Sequence, residues 1–571
     1  MTSHWPFSCS RRYWLRWSIL SVFSSLSGMK VGAQSSAVNE AEADVVVVGY
    51  GAAGAAAAIE AAKAGAKVII LEKAPQKTHC STTRLSSGIY LSPDAAIDKE
   101  VLKDYIVSTY LRDGAELRRQ GRLPAPLGDL AEVWATLAPE TFAWLQSLDP
   151  DFRSATPPLY TRSQFVNLWH GVKPHIQAQV ATYSLWRDFY QSTYRAPKSE
   201  TLNGEALYAC LAAGIEAHAV PVHYGERAVA LEVQNGIVCG VWAQSDKGRT
   251  LYRARLGVIL ASGGFAFNRA LRQALLPREA NDYWAVSSSP ENTGDGLALG
   301  LSQGADIVRS SAYFDRFCIL LPERLHGVRL GVPMDCVGRP HTLLVDNLGR
   351  RFTSESDLQD IYQHYGYVDE MLRLDSDTHR CERTPTWCIF DEVMMKSAPI
   401  ATLGEGSTVS RLVDWTTNQQ ALEKGWILRG DTIEVLAAKI AAHPDNAQRM
   451  SAAVLQNTLN TFNDYALRRL DTDFDRAPAT MRPLSEGPYY AVPVSIDVPH
   501  MAAGLRTDAR RAVVRRDGQP IPGLFAAGEV APVSRLMHDK GGHLSECLVF
   551  GRYVGRIVAQ QPPLSQEVQH G

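Results

Sequence analysis

The chain has 571 residues and a formal net charge of -2. That is too long for one core and predicts two or three domains, and the near-neutral charge leaves no electrostatic footprint for nucleic acid. The 9 cysteines contain no C-x-x-C pair and no C-x-x-C-H, so zinc ribbons, iron–sulfur clusters of the usual spacing and c-type haem are unsupported, and no metal site is expected.

The first residues read as a targeting signal. Ser10-Arg11-Arg12-Tyr13-Trp14-Leu15-Arg16 resembles the twin-arginine export motif of bacteria, and a modestly apolar, serine-rich run follows from Trp17 to about Met29. The run is too short and too polar to span a membrane. Val31-Gly32-Ala33 fits a small-x-small cleavage site. A signal peptide over residues 1–33 is therefore expected, with a periplasmic product and no stable membrane insertion; a general secretory signal or a mis-set start codon are the alternatives. Its removal takes away Arg11, Arg12, Arg16 and Lys30 and no acid, which makes the mature chain more acidic. The twin-arginine route exports proteins already folded around a cofactor, so few disulfides are expected among the remaining cysteines.

Asp44 to Lys73 carries the strongest local signal. Val45 to Val48 read as a strand buried on both faces, as parallel sheets require. Gly49, Gly51 and Gly54 follow at the spacing G-x-G-x-x-G, then a small-residue helix from Ala52 to about Ala64, then the apolar strand Val68 to Leu71 ending in Glu72. Gly49 makes a tight turn, Gly51 admits a pyrophosphate to the backbone, and Gly54 lets the helix pack close on the strand. The helix N-terminus offers N–H groups and a positive dipole end to phosphate. Glu72 stands where an acid accepts hydrogen bonds from a ribose, about 20 residues on. The plain alternative is an ordinary βαβ unit with a glycine turn. The unit does not choose between FAD and NAD.

Further along, Asp104 to Arg119 and Leu130 to Leu148 have helical spacing of apolar residues, and Arg153 to Arg195 read as irregular. A helix is expected over Ala206 to Ala217, then strands Pro221 to His223 and Arg227 to Gln234. Asn235-Gly236 predicts a hairpin between Val229–Val233 and Val238–Ala243. Leu256 to Leu260 is a further buried strand running into Ala261-Ser262-Gly263-Gly264-Phe265. Asn292-Thr293-Gly294-Asp295-Gly296 opens a helix from Leu297 to Gln303. Glycines after a parallel strand again mean close approach of backbone to a ligand.

The set VVVVGYGAAGAAAA, ASGGF, NTGDG, GRRF, and GLFAAGEV with ECLVFGR resembles the FAD-dependent fumarate reductase and succinate dehydrogenase flavoprotein family, which includes the 3-ketosteroid dehydrogenases. The resemblance covers nearly the whole mature chain in the right order. It implies an α/β fold in which a discontinuous, Rossmann-like FAD-binding domain (residues 41–310 and 487–560) carries an inserted α+β capping domain (residues 311–486), with substrate between them. It implies non-covalent FAD held by Gly49, Gly51, Ala53, Gly54, Glu72 and Lys73; by Ser81, Thr82, Ser87 and Gly88; by Ala228; by Ser262, Gly263, Gly264 and Asp295; and by Gly528, Glu529, His543 and Leu544. Glu529 resembles the acid that bonds the ribityl chain, and the helix opened by Gly541 to Ser545 aims its dipole at the reduced flavin. His79 is read as a surface loop histidine, with covalent attachment to flavin as the sharper alternative.

Two departures bear on substrate. Counting on from Gly349-Arg350-Arg351-Phe352, the place of the family's acid arginine falls on Gln359, and a glutamine cannot donate a proton in that role. The second family arginine, which clamps a carboxylate, falls on His538, with Arg535 close but out of register. A dicarboxylate site wants planar bidentate arginines, so fumarate and succinate fit poorly. Hydride transfer to or from flavin N5 still needs a protein acid/base at the neighbouring carbon. The candidates are Tyr362, with Tyr365 and Tyr367 nearby, and His500, then Tyr490, Arg316 and His538; packing or surface roles are the plain alternatives. The expected function is an FAD-dependent oxidoreductase acting on a carbon–carbon bond next to a carbonyl or carboxyl group of a ketosteroid- or enoate-type small molecule. An L-aspartate-oxidase-like amine oxidase and a flavin electron carrier are the alternatives. No haem or FMN module is visible, so a separate redox partner is expected.

Overall fold

The computed structural model describes residues 39–86, 88–111, 114–152, 154–155, 190–193, 203–275, 286, 288–309, 317–334, 336–356, 370–397, 399–401, 413, 415–496, 498, 501, 503–533 and 542–564. Within them the fold is mixed α/β.

Val45 to Val48 have no exposed face. They end strand β1 (Asn39–Val48), which pairs in parallel with β2 (Val68–Glu72), Val45 opposite Val68 and Val48 opposite Leu71. Parallel neighbours need a crossover, supplied by helix α1 (Ala52–Lys63). Beyond β2 the sheet gains β3 (Val222–Tyr224), again parallel. A hairpin follows, β4 (Arg227–Gln234) with β5 (Ile237–Ser245), turned at Asn235 and Gly236, both at positive φ as this two-residue turn demands. The next strand, β6 (Gly248–Leu260), starts well before the expected Leu256. Its outer half carries Arg249, Arg253 and Arg255 and pairs antiparallel with β5, so only the inner half reads as a buried run.

A second sheet takes β7 (Phe317–Leu325), β8 (Val328–Pro333), β9 (Thr342–Val345), β10 (Thr386–Asp391), β11 (Leu428–Gly430) and β12 (Tyr489–Ile496), in the order β8-β7-β12-β10-β9 with β11 also on β12. β12 lies within residues 487–560, yet all eight of its residues are buried between three partner strands of this second sheet. One face of the sheet (Leu343, Trp387, Ile389) packs on helices α2 (Ile433–Ala442) and α3 (Ala452–Arg468). The other face (Leu344, Phe390, Tyr490, Val492) joins one continuous core with Val46, Val48 and Val258 of the first sheet.

The chain then returns to the first sheet with β13 (Ala512–Val514) and β14 (Pro520–Ala526), which pairs in parallel with the inner half of β6. The order is β13-β14-β6-β1-β2-β3. The last helix, α4 (Gly542–Ala559), lies on α1. The expected helices over 104–119 and 130–148 each appear as two, Lys99–Tyr110 with Gly114–Arg119 and Leu127–Leu137 with Thr141–Leu148. Pro139 separates the second pair, since a proline cannot continue a helix interior. Among the described residues no helix is long and apolar enough to cross a membrane.

α1 and α4 approach backbone to backbone at two glycines of α4. A Cβ on Gly551 would stand 2.6 Å from Ala53 O, and one on Gly555 2.2 Å from Ala57 O. Gly555→Ala gains about 1 kcal/mol of helix propensity but overpacks a backbone contact, which costs about 1–3 kcal/mol. The expected outcome is a lower thermal midpoint with retained secondary structure; an equal or higher midpoint would show that the two helices yield without cost.

Candidate functional site

Four strands of the first sheet deliver their ends to one edge. Gly49 N–H donates to Leu71 O (2.8 Å), Ala261 N–H to Val48 O (2.8 Å) and Ala527 N–H to Leu260 O (3.0 Å). The loops after β1, β2, β6 and β14 therefore start side by side, where open parallel sheets bind ligands.

The first loop is as tight as its glycines allow. Gly49 has φ +106, and a Cβ there would lie 2.5 Å from Ala261 O; one on Gly54 would lie 2.0 Å from Gly49 O. Gly51 is the N-cap of α1 in extended conformation with no side-chain cap. Ala52 N–H donates to Thr83 Oγ1 across the loop (2.9 Å). The end of α1, with Ala53 in its first turn, presents backbone donors and the positive dipole end to whatever the loop holds.

Glu72 closes the second loop. Its Oε2 accepts from Tyr50 N–H (3.0 Å) and its Oε1 from Ala74 N–H (2.8 Å). Burial raises its pKa above the ordinary carboxylate range, against those two N–H donors and Lys73. Lys73 and Asp295 are brought to each other: Lys73 Nζ donates to Thr293 Oγ1 (2.7 Å) and Asp295 Oδ2 (3.1 Å), and Arg227 Nη2 to Asp295 Oδ1 (2.8 Å). Burial alone would raise the pKa of Asp295, but the two cations outweigh it and hold the carboxyl low. Ala228, beside Arg227 on β4, is buried in the core.

The third and fourth loops meet at Glu529. Its Oε1 accepts from Met501 N–H (2.7 Å), its Oε2 from Asn292 Nδ2 (3.3 Å), and the Gly264 backbone is a further donor. A Cβ on Gly264 would lie 2.3 Å from Glu529 Oε1, and one on Gly263 2.6 Å from Asn292 Oδ1. Asn292 Nδ2 also donates to Thr82 Oγ1 (2.9 Å) and Ser288 Oγ (2.8 Å). No cation is among the groups that set the titration of Glu529, and burial pushes its pKa up to about 7. His543 and Leu544 lie in the first turn of α4, beyond Gly528 and Glu529. Gly88 is buried, its N–H on Ser86 Oγ (3.1 Å).

Three buried polar atoms around this edge have no hydrogen-bond partner: Ser81 Oγ, Ser262 Oγ and His79 Nε2. Ser81 flanks Gly51, and Ser262 flanks Gly49. Orphaned acceptors and donors, two buried carboxylates held by N–H groups and a helix N-terminus suit a ligand that carries both hydroxyls and phosphates. His79 is buried rather than at the surface, which corrects the expectation of a surface loop histidine: Tyr50, Tyr208 and Tyr224 close over it.

Tyr490 is buried on the core-facing side of β12. Its ring stacks on Phe390 (5.5 Å, 18°) and its hydroxyl donates to Glu392 Oε2. Burial and that carboxylate push its pKa up to about 12. Ser87, Arg316, Tyr362, His500 and His538 lie outside the described residues, as do Gln359, Arg535 and residues 1–33. Two residues of the cradle escaped the sequence reading. Asn292 stood in a recognised glycine-rich segment, but nothing local marks it as the hub of three loops. Thr83 looked like one of several small polar residues.

A family model described as FAD binding domain matches residues 44–542. The 3-oxosteroid 1-dehydrogenase of Mycolicibacterium smegmatis is 27% identical over 92% of this chain and 99% of its own length. The 4-oxocyclohex-2-ene-1-carboxylate 5-dehydrogenase of Sinomonas cyclohexanicum is 26% identical over 90% of this chain and 94% of its own length. Among solved structures, a 3-ketosteroid delta1-dehydrogenase from Sterolibacterium denitrificans in complex with 1,4-androstadiene-3,17-dione has a TM-score of 0.65 at 20% identity, covering 91% of this chain and 99% of that one, a likeness of fold.

Glu529 makes a prediction about pH. Its folded pKa, about 7, is above the ordinary 4.5. Between those values the folded apoprotein holds a proton that the unfolded chain has released, so stability falls as pH rises through that window. Glu529→Gln cannot ionise. Its thermal midpoint, measured on the apoprotein from pH 4.5 to 7, should gain on the wild type as pH rises; parallel curves for the two proteins would show that Glu529 does not titrate there.

Proposed function

The chain belongs to the family described as FAD binding domain, and from that premise we propose that it is an FAD-dependent oxidoreductase that moves hydride between the flavin and a carbon–carbon bond next to a carbonyl or carboxyl group. The observation that carries this reading is the pair of relatives above, whose names join an oxo-substituted ring to a dehydrogenase reaction over almost their whole length. A ketosteroid- or enoate-type small molecule is the substrate class that fits. Fumarate fits poorly, because Gln359 and His538 stand where planar, bidentate arginines would grip a dicarboxylate.

In this reading residues 41–310 and 487–560 form the FAD-binding body, and residues 311–486 form a cap whose sheet β12 completes. FAD is non-covalent. The end of α1 takes the pyrophosphate, Glu72 the adenosine ribose and Glu529 the ribityl chain, with Ser81 and Ser262 as further donors. Gly49, Gly51, Ala53, Gly54, Gly263, Gly264 and Gly528 admit the cofactor to backbone, and Thr82, Ser87, Gly88, Ala228, His543 and Leu544 complete the walls. Lys73 and Asp295 act through their mutual ion pair, which ties β2 to the segment that holds Asn292. The flavin supplies the hydride acceptor or donor.

The protein's own task is the proton at the neighbouring carbon. Tyr362 is the first candidate for that acid/base and His500 the second. Arg316 and His538 bind or polarise the substrate carbonyl or carboxyl group. Tyr490 lies on the core-facing side of the second sheet, with its hydroxyl held by Glu392. A tyrosine has an ordinary pKa of about 10, so a base role needs a cation beside it. Export through the twin-arginine route to the periplasm, with a separate redox partner, completes the reading.

The testing experiment mixes the purified yellow protein anaerobically with ketosteroids, enoates, aryl acrylates and fumarate, and follows bleaching or reoxidation of the flavin. At least one of the first three classes should exchange electrons at a rate fumarate does not approach. Equal turnover of fumarate, or silence with all of them, would overturn the reading. Tyr362→Phe should slow flavin reduction by that substrate by about 10²-fold or more and leave reduction by dithionite unchanged; a wild-type rate would make Tyr362 a packing residue. Acid precipitation should release all of the FAD into the supernatant, and yellow colour left in the pellet would mean a covalent bond.

A further inference from the structure

The loop after β2 buries a histidine in a setting that hydrogen bonding within the protein leaves incomplete. His79 is only 4% exposed. Its ring stacks on Tyr50 (5.7 Å, 14°) and meets Tyr208 and Tyr224 at 5.2 and 5.9 Å. The Tyr50 and Tyr208 rings also meet each other edge to face at 5.3 Å. Burial, with the Arg84 guanidinium nearby, holds the imidazole pKa down to about 4, and the ring is neutral above that.

A neutral imidazole has one donor and one acceptor nitrogen. With the ring proton assigned to Nδ1, Nε2 is the acceptor. It is buried without a partner and stands 3.7 Å from Glu72 Oε2. Two acceptors face each other at a distance where neither can bond to the other. The nearby cations are committed elsewhere: Lys73 to Thr293 and Asp295, Arg84 to Glu205 and the His79 carbonyl. The site lacks a pair of donors, and it lies at the end of the second strand, where an acid accepts from ribose hydroxyls.

We propose that His79 Nε2 and Glu72 together hold the vicinal hydroxyls of the adenosine ribose of FAD, one hydroxyl donating to each. In this role His79 is a hydrogen-bond acceptor for the cofactor's adenosine half, not a nucleophile toward its flavin ring. A vicinal diol offers two donors a short distance apart. The inference rests on the FAD assignment and is independent of the substrate reading, so it survives if the substrate class proves wrong.

The test is affinity, measured on apoprotein by fluorescence quenching and calorimetry. FAD, FMN, ADP, 2′-deoxy-ADP and 3′-deoxy-ADP are titrated into wild type, His79→Phe and His79→Gln. His79→Phe should weaken FAD and ADP by about tenfold, the scale of one net hydrogen bond, and leave FMN, which lacks the adenosine half, unchanged. His79→Gln keeps a neutral acceptor and should recover part of the loss. One of the two deoxy nucleotides should bind wild type and His79→Phe equally, because it lacks the hydroxyl that His79 would accept from. Equal FAD affinity for wild type and both variants would overturn the proposal, and so would equal losses for FAD and FMN. A His79→Phe penalty of the same size for ADP and for both deoxy nucleotides would also overturn it, and would assign the site to a buried water. If His79→Phe does not fold, His79→Leu, which also lacks an acceptor, takes its place with the same expected and overturning outcomes.

Discussion

The contacts of α1 at Gly54 and at Gly551 and Gly555 of α4 are made of backbone, and the cradle depends on them. Gly54 sits over the Gly49 carbonyl, and Gly551 and Gly555 of α4 sit on the carbonyls of Ala53 and Ala57. No side chain larger than hydrogen fits at these positions without displacing main chain. The helix is thereby held at a depth where its N-terminus points into the edge formed by β1, β2, β6 and β14. Its two clamps come from the beginning and the end of the chain, residues 52–63 and 542–559. Alanine is the residue that tolerates this on the α1 side: buried at almost every position from Ala52 to Ala61, it offers surface without bulk.

Charged groups sort by what holds them. Asp295 is gripped by Lys73 and Arg227, and its job is to tie loops together. Beneath the second sheet, Arg351 bridges Glu355 (2.7 Å) and Asp471 (2.8 Å), and Leu344 N–H donates to Glu355 (3.2 Å), a buried network that fixes the GRRF turn against β9. Such a network gives specificity of arrangement more than net stability. Glu72 and Glu529 are different. Each is buried, each accepts from backbone N–H groups, and neither has a cation in hydrogen-bond contact; burial raises both. A carboxylate kept in that state is costly for the apoprotein. It is retained where a ligand completes its surroundings.

Legibility in the sequence follows the range of the interactions. The strand, glycine turn, helix and second strand over residues 44–72 were readable to within a residue or so, because periodicity and turn chemistry there are local. The Asn235-Gly236 hairpin was readable for the same reason. The second sheet was not. β7 and β12 contain Pro322 and Pro493, residues that argue against interior strands, and β12 is central only because β7, β10 and β11 arrive from far away in sequence. His79 shows the same limit at a single residue. Its loop is polar and small, so composition reads as surface, while Tyr208 and Tyr224, which bury it, come from a helix and a strand more than a hundred positions on. Asn292 gains its meaning from Thr82 and Glu529, each over two hundred positions away.

These ranges divide the molecule into two kinds of information. The cofactor edge is specified by what must be absent: side chains at a few glycines, hydrogen-bonding cations at two carboxylates, partners on three buried polar atoms. Absence of bulk leaves a strong trace in sequence, and a chain about a quarter identical to its relatives still carries it in order. The second sheet's core-facing side is specified by what is present, single polar side chains such as Tyr490 set in an otherwise apolar wall. In the function proposed above the same contrast holds: the cofactor edge keeps its glycines, while Gln359 and His538 take the two places at which arginines would grip a dicarboxylate.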